Sequence, residues 1–231
     1  MAAIAAAAIS AAFAWVVFTR FTVSGRPAFA AWTAGLLIFA AAAACQAVGE
    51  HAGFDAPLFR AFYLLGGVLG VIWLSLGTLF LLAPRRVAMA ATVVLVAVTI
   101  ALAIDAAVVH VDGRRLNTPA GILGDAISAS SPLHLGAVVL NILGTLILVG
   151  GSGWSAYRLY RDRGGADRVV CNVLLTAGAF VIAAGFSAAK LAGGALDTLG
   201  LYEAIGIAVM FAGFLSIGRF PRAGTRTAPG V

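Results

Sequence analysis

Charge is scarce in this chain. Of its 231 residues only 10% are Asp, Glu, Lys or Arg, whereas 62% are hydrophobic. A water-soluble domain carries roughly 25% charged residues. The shortfall leaves too few charges to solvate a globule, so lipid becomes the solvent for much of the surface. Cysteine is sparse as well. Cys45 and Cys171 sit in apolar runs without a CxxC partner and read as packing residues, not as a redox or metal pair. The three histidines, His51, His110 and His134, lack HxxxH and HExxH spacing and fall at helix ends or in loops, which argues against a metal site or haem ligation. No Lys or Arg precedes Arg20, so the first apolar stretch lacks the basic start of a signal peptide and is expected to stay as a helix. Finally, proline is missing from every long apolar run. Pro27, Pro57, Pro84, Pro119, Pro132, Pro221 and Pro229 all lie between or beyond them. Proline deletes a backbone donor and clashes with the preceding turn, so its exclusion marks the runs as unbroken helices.

Those runs number seven, at about 2–19, 28–49, 61–83, 87–109, 135–157, 169–192 and 198–218. A span needs about 20 mostly apolar residues. The expected fold is therefore all-α: a polytopic integral membrane protein, one bundle of seven transmembrane helices in a single domain. Charge orients it. Arg20, Arg26, Arg85, Arg86, Arg158, Arg161, Arg163, Arg168, Arg219, Arg222 and Arg226 fall in alternate loops and the C-terminal tail, and these are eleven of the fifteen cations. The positive-inside rule makes that side cytoplasmic. With an odd number of spans, the N-terminus is expected outside. The formal charge of +6 is then loop arginine holding helices in place, not a nucleic-acid surface. The longest connection, 110–132, is expected on the outside and carries a short apolar piece, 120–127, suited to capping the bundle. The Ala- and Gly-rich composition fits a bacterial cell membrane.

Three matches hint at duplication. Thr33-Ala34-Gly35 resembles Thr176-Ala177-Gly178, Asp55 resembles Asp197, and Ser75 resembles Ser216, all at offsets of 141–143 residues. That gives a 3+1+3 plan with the fourth helix as linker, a kind of parallel repeat found in transporters. Microbial rhodopsins share the helix count but need a retinal-binding lysine in the last helix, and 198–218 contains none.

Ionisable residues inside spans are costly and mark sites. Glu50, Asp105, Lys190 and Glu203 lie toward the outer ends of their helices, with Lys190 and Glu203 flanking a short loop as an expected ion pair. Asn172, Thr176, Ser187 and Lys190 form a polar stripe on one side of the sixth helix at 100° per residue. Gln46 with Glu50, and Asn141 with Thr145, are i,i+4 pairs suited to the same interior. Glycines 66, 67, 70 and 77 let the third helix approach its neighbours closely, as a central strut. The leading expectation is binding and translocation of a small solute or ion through an outward-facing polar cavity, with Glu50, Asp105, Lys190, Glu203, Asn172, Thr176 and Ser187 as substrate-binding residues. Two alternatives stand beside it. One is a sensory or accessory subunit acting through a membrane or cytoplasmic protein partner. The other is a membrane enzyme or redox subunit using the outer histidines. No catalytic residue, metal ligand or cofactor is assigned from sequence.

Overall fold

Each of the seven apolar stretches is a helix in the computed structural model, which describes residues 1–118, 120–162, 165–191 and 196–217, with Lys190 described by its backbone alone. The helices are α1 (Ala2–Ser24), α2 (Pro27–Ala52), α3 (Ala56–Leu82), α4 (Arg85–Val108), α5 (Pro132–Arg161), α6 (Ala166–Leu191) and α7 (Leu196–Leu215). All seven are long and apolar enough to cross a membrane. Their outer surfaces support that reading. Val93, Val94, Ile100 and Ile104 of α4 and Leu135, Ile142 and Leu146 of α5 are all exposed. An apolar surface this continuous is what lipid covers and water does not.

Most helices begin a few residues before the apolar runs do, because their first turns are polar or proline-containing. Pro27 and Pro132 open α2 and α5, Pro57 lies in the first turn of α3, and Pro84 caps α4. Proline is pre-set for that position, where its missing N–H has no partner to lose. Asp55 caps α3 by accepting from the Leu58 N–H at 2.8 Å, and Ser131 caps α5 by accepting from the His134 N–H at 3.2 Å. The helices are free of internal proline, yet two are not regular. α3 passes through π-helical turns at Tyr63–Leu69, and α5 at Leu146–Gly150.

Packing follows a ring. α1 packs on α2, α2 on α3, α3 on α5, α5 on α6, α6 on α7, and α7 closes back on α1. α4 stands outside the ring against α3 and α5. Exchanging α1, α2 and α3 for α5, α6 and α7 maps every contact of this ring onto another, as in any closed ring of six helices, and α4 is the helix left over. The residues matched in sequence make matched local bonds: Thr33 and Thr176 each donate to the carbonyl four residues back, and Ser75 and Ser216 to the carbonyl three back.

Glycine sets the closest approaches. A Cβ at Gly35 of α2 would lie 2.6 Å from the Leu74 nitrogen, and one at Gly144 of α5 would lie 2.9 Å from the Ile72 nitrogen, so α3 is gripped from both sides at adjacent turns. Gly178 and Gly206 make the equivalent crossing of α6 and α7, each against the other's carbonyl. Asn141 of α5 adds a polar tie, its amide donating to the Gly67 carbonyl within the π-helical turns of α3 and to Ala137 at 2.8 Å. Interhelical bonds of this sort in membranes are worth about 1 kcal/mol. Asn141→Leu is therefore expected to lower the thermal unfolding midpoint of the purified protein modestly without changing its helix content by circular dichroism.

The connection between α4 and α5 folds over one end. Ile122, Leu123, Ala126 and Ile127 are buried against Phe54, Phe59, Tyr63 and Leu133. Val111 and Ile127 form an isolated antiparallel bridge. Asn117 ties this cap to the α2–α3 turn, accepting from the Phe54 N–H at 2.8 Å and donating to the Phe54 carbonyl at 3.1 Å.

Candidate functional site

The interior of the ring is lined mostly by apolar side chains. Two cavities lie there, one among Phe13, Trp32, Leu36, Thr78, Met210 and Phe214, the other, of about 30 Å³, among Phe39, Val71, Thr145, Ile182 and Ala183. They share Leu74, Leu148 and Met210 in their linings. None of Glu50, Asp105, Asn172, Thr176, Ser187 and Glu203 lines either one. The polar residues are elsewhere, and they divide into separate groups.

The first group lies where the N-terminus of α1, the C-terminal end of α2 and the start of α7 meet. Gln46 is fully buried. Its amide donates to Glu50 Oε1 at 2.9 Å and to the Leu196 carbonyl at 3.3 Å. Space for it is made by Gly200, where a Cβ would lie 3.2 Å from the Gln46 amide nitrogen and 3.1 Å from the Ala3 nitrogen. Glu203 follows Gly200 by three residues, on the same face of α7. Its side chain is half-buried, and the Glu50 carboxylate acts on it electrostatically. Among the described residues, two buried oxygens of this group have no hydrogen-bond partner: Gln46 Oε1 and Glu203 Oε2. Both are acceptors, since the Gln46 amide is oriented by its two donor bonds. Glu50 is 13% exposed and is the carboxylate nearer water, with Oε2 3.8 Å from the Met1 amino group.

The expected partnership of Glu203 with Lys190 lies outside the described residues, because the Lys190 side chain does. The backbone register is nonetheless set. Gly178 faces Gly206, Gly185 faces Tyr202, and Gly213 faces Leu174. Continued to the end of the pair, that register puts Lys190 level with Leu196 and Asp197, roughly 10 Å along the axis from Glu203 at 1.5 Å per residue.

Asp105 belongs to a second group. Its Oδ2 accepts from the Leu133 N–H at 3.0 Å, so it caps the first turn of α5 alongside Ser131. Nearby, Arg60 of α3 donates to the Ala107 carbonyl at 3.1 Å and the Val109 carbonyl at 2.7 Å, satisfying the open end of α4. Asp105 and Arg60 thus bind helix ends to one another, on helices that flank the ring opposite α1 and α7. If capping is the role of Asp105, Asp105→Asn keeps an acceptor oxygen and leaves stability within about 0.5 kcal/mol, whereas Asp105→Ala costs about 1 kcal/mol. Thermal melts of the two variants check this.

The stripe on α6 does not converge on Glu203. The Asn172 amide donates to the Arg168 carbonyl at 2.9 Å and the Thr176 hydroxyl to the Asn172 carbonyl at 2.8 Å, both within their own helix. Ser187 is exposed. The histidines are dispersed: His51 and His110 are exposed, and His134 Nδ1 lies 3.2 Å from the Tyr63 hydroxyl. Among the described residues no three His, Cys, Asp or Glu side chains gather in a way that could hold a metal ion.

Gln46 and Gly200 are the members of the first group that sequence underweighted. The signals were the i,i+4 spacing of Gln46 and Glu50, and a glycine one turn before the only acid well inside the last helix. Compared with known protein families, curated proteins and solved structures, the chain matches none.

Proposed function

We propose that this chain is a multi-pass protein of a bacterial cell membrane, N-terminus outside and C-terminus cytoplasmic, that binds a small cation at Gln46, Glu50 and Glu203 and carries it across the bilayer. The observation that carries the reading is the pair of buried acceptor oxygens, Gln46 Oε1 and Glu203 Oε2, that lack a donor. A buried unsatisfied polar atom costs about 1–3 kcal/mol. Buried next to a second carboxylate, the cost is greater, and a bound positive charge offsets it. Supporting this are the arginine bias between alternate loops and the sequence matches of a 3+1+3 plan, which transporters use with sites between the halves.

The apolar interior favours a second reading. With Leu74, Leu148 and Met210 lining both interior cavities and neither carboxylate reaching them, no polar path leads from this group through the ring among the described residues, which suits a sensory or accessory subunit that binds an ion and signals to a protein partner. One experiment separates the two. Proteoliposomes loaded with a pH-sensitive or a sodium-sensitive dye are given an imposed membrane potential and an ion gradient. Carriage predicts dye response above that of protein-free liposomes. A protein that binds the ion but gives no flux of H⁺, Na⁺ or K⁺ supports the second reading and contradicts carriage.

A further inference from the structure

We propose that the cation held by this group is a proton, carried on Glu203 and delivered through Glu50. The inference rests on the cation-binding reading above and narrows its ligand.

The geometry distinguishes a proton from a metal ion by the number and kind of ligands left over. A monovalent or divalent metal replaces its hydration shell with several oxygens at once, typically six or more for the larger hard cations. Here the Gln46 amide takes up Glu50 Oε1 and the Leu196 carbonyl, leaving Gln46 Oε1 and Glu203 Oε2 as the buried oxygens without a donor. Among the described residues no three His, Cys, Asp or Glu side chains gather here, so the two carboxylates and the Gln46 carbonyl are too few to replace such a shell. A proton needs no shell. On Glu203 Oε2 it turns an acceptor without a donor into a donor and removes the negative charge from that buried oxygen.

The charged groups facing the site from each packed element fit one proton and one negative charge. From α1 comes the Met1 amino group, 3.8 Å from Glu50 Oε2. From α2 comes Glu50 itself, while His51 is exposed beyond it. From α7 come Glu203 and, at its first turn, Asp197. From α6 the Lys190 backbone is level with Asp197, not with Glu203. Two carboxylates therefore share a space in which the nearby described cation touches only Glu50. The step balances simply. The Glu50 carboxylate takes a proton from hydronium, releasing water. It then passes that proton to the Glu203 carboxylate and returns to its ionised form. No electrons move and no other reactant is needed.

Infrared difference spectroscopy of the full-length protein in lipid tests this. At neutral pH a carbonyl band of a protonated carboxyl group is expected, shifting on exchange into D2O and unaffected by added NaCl or KCl. It should be lost in Glu203→Gln and retained, at an altered frequency, in Glu203→Asp, which guards against a folding defect in either variant. In Glu50→Gln the band should persist while its response to a pH jump slows by roughly 100-fold, the scale of a lost proton-transfer group. Loss of the band on adding Na⁺ or K⁺ at fixed pH overturns the proton and leaves a metal-ion site standing. A spectrum with no protonated carboxyl band and no response to pH or salt overturns the inference and the cation-binding reading together.

Discussion

Glu203→Gln is expected to bring ion flux in proteoliposomes down to the level of protein-free vesicles while leaving the protein folded. The side chain keeps its shape, and only the exchangeable charge is removed. The expectation has a second half that a merely structural role does not share. Glutamine carries amide donors, so above the pH at which Glu203 gives up its proton it supplies a donor where the ionised carboxylate has none, and it removes one of two half-buried carboxylates. Relief of one unsatisfied buried atom is worth about 1–3 kcal/mol, and a domain of this size shifts its midpoint by roughly 2–4 °C per kcal/mol. The variant should thus melt at the wild-type temperature or a few degrees above it. Wild-type flux in Glu203→Gln would remove this residue from the mechanism, and a large fall in its melting temperature would make it a structural strut.

The largest loss of stability is expected at the crossing of α6 and α7. At Gly178 an added Cβ meets the Gly206 carbonyl oxygen and lies 3.0 Å from the Met210 nitrogen. Both obstacles are backbone and neither can rotate aside, so Gly178→Leu has to push the helices apart. Overpacking costs about 1–3 kcal/mol and sometimes more, or roughly 6–12 °C in melting temperature at the upper end. Gly150→Ala is the control, since nothing lies within 4 Å of the position its Cβ would take. It should melt like the wild type, and equal losses in the two variants would show that the register of α6 on α7 is wrong. Because that register also sets Gly200 and Glu203 against α2, a milder Gly178→Ala should weaken flux together with stability.

Seven helices were legible in the chain because each needs only length and apolarity, which local composition carries. Their starts were less legible: the first turns hold Asp55, Pro57, Ser131 and Pro132, residues that hydropathy discounts and that capping requires. The π-helical turns of α3 and α5 left no clear trace, although glycines 66, 67 and 70 mark the stretch where α3 departs from regular geometry. For the candidate site, sequence proposed Glu50 and Glu203 from the cost of burying charge. It could not say which helices meet. Asp105 and Glu203 look equally deep along the chain, yet α4 lies outside the ring and α7 within it, so one acid caps a helix and the other lies one turn from the Gly200–Gln46 contact. Depth is a one-dimensional property, readable from position in a span. Adjacency depends on contacts such as Gly200 against Gln46 that join distant parts of the chain.

The central claim, a buried carboxyl that binds and releases a cation, is most directly tested with a hydrophobic carbodiimide, which reaches acids from the lipid side and reacts with them when protonated. The purified protein is labelled in lipid vesicles and the modified residue located by peptide mass spectrometry, with flux measured on the same sample. A proton site at Glu203 predicts label on Glu203 and loss of flux in proportion to labelling. Full labelling of Glu203 with flux intact, or flux lost with Glu203 unmodified, would contradict it.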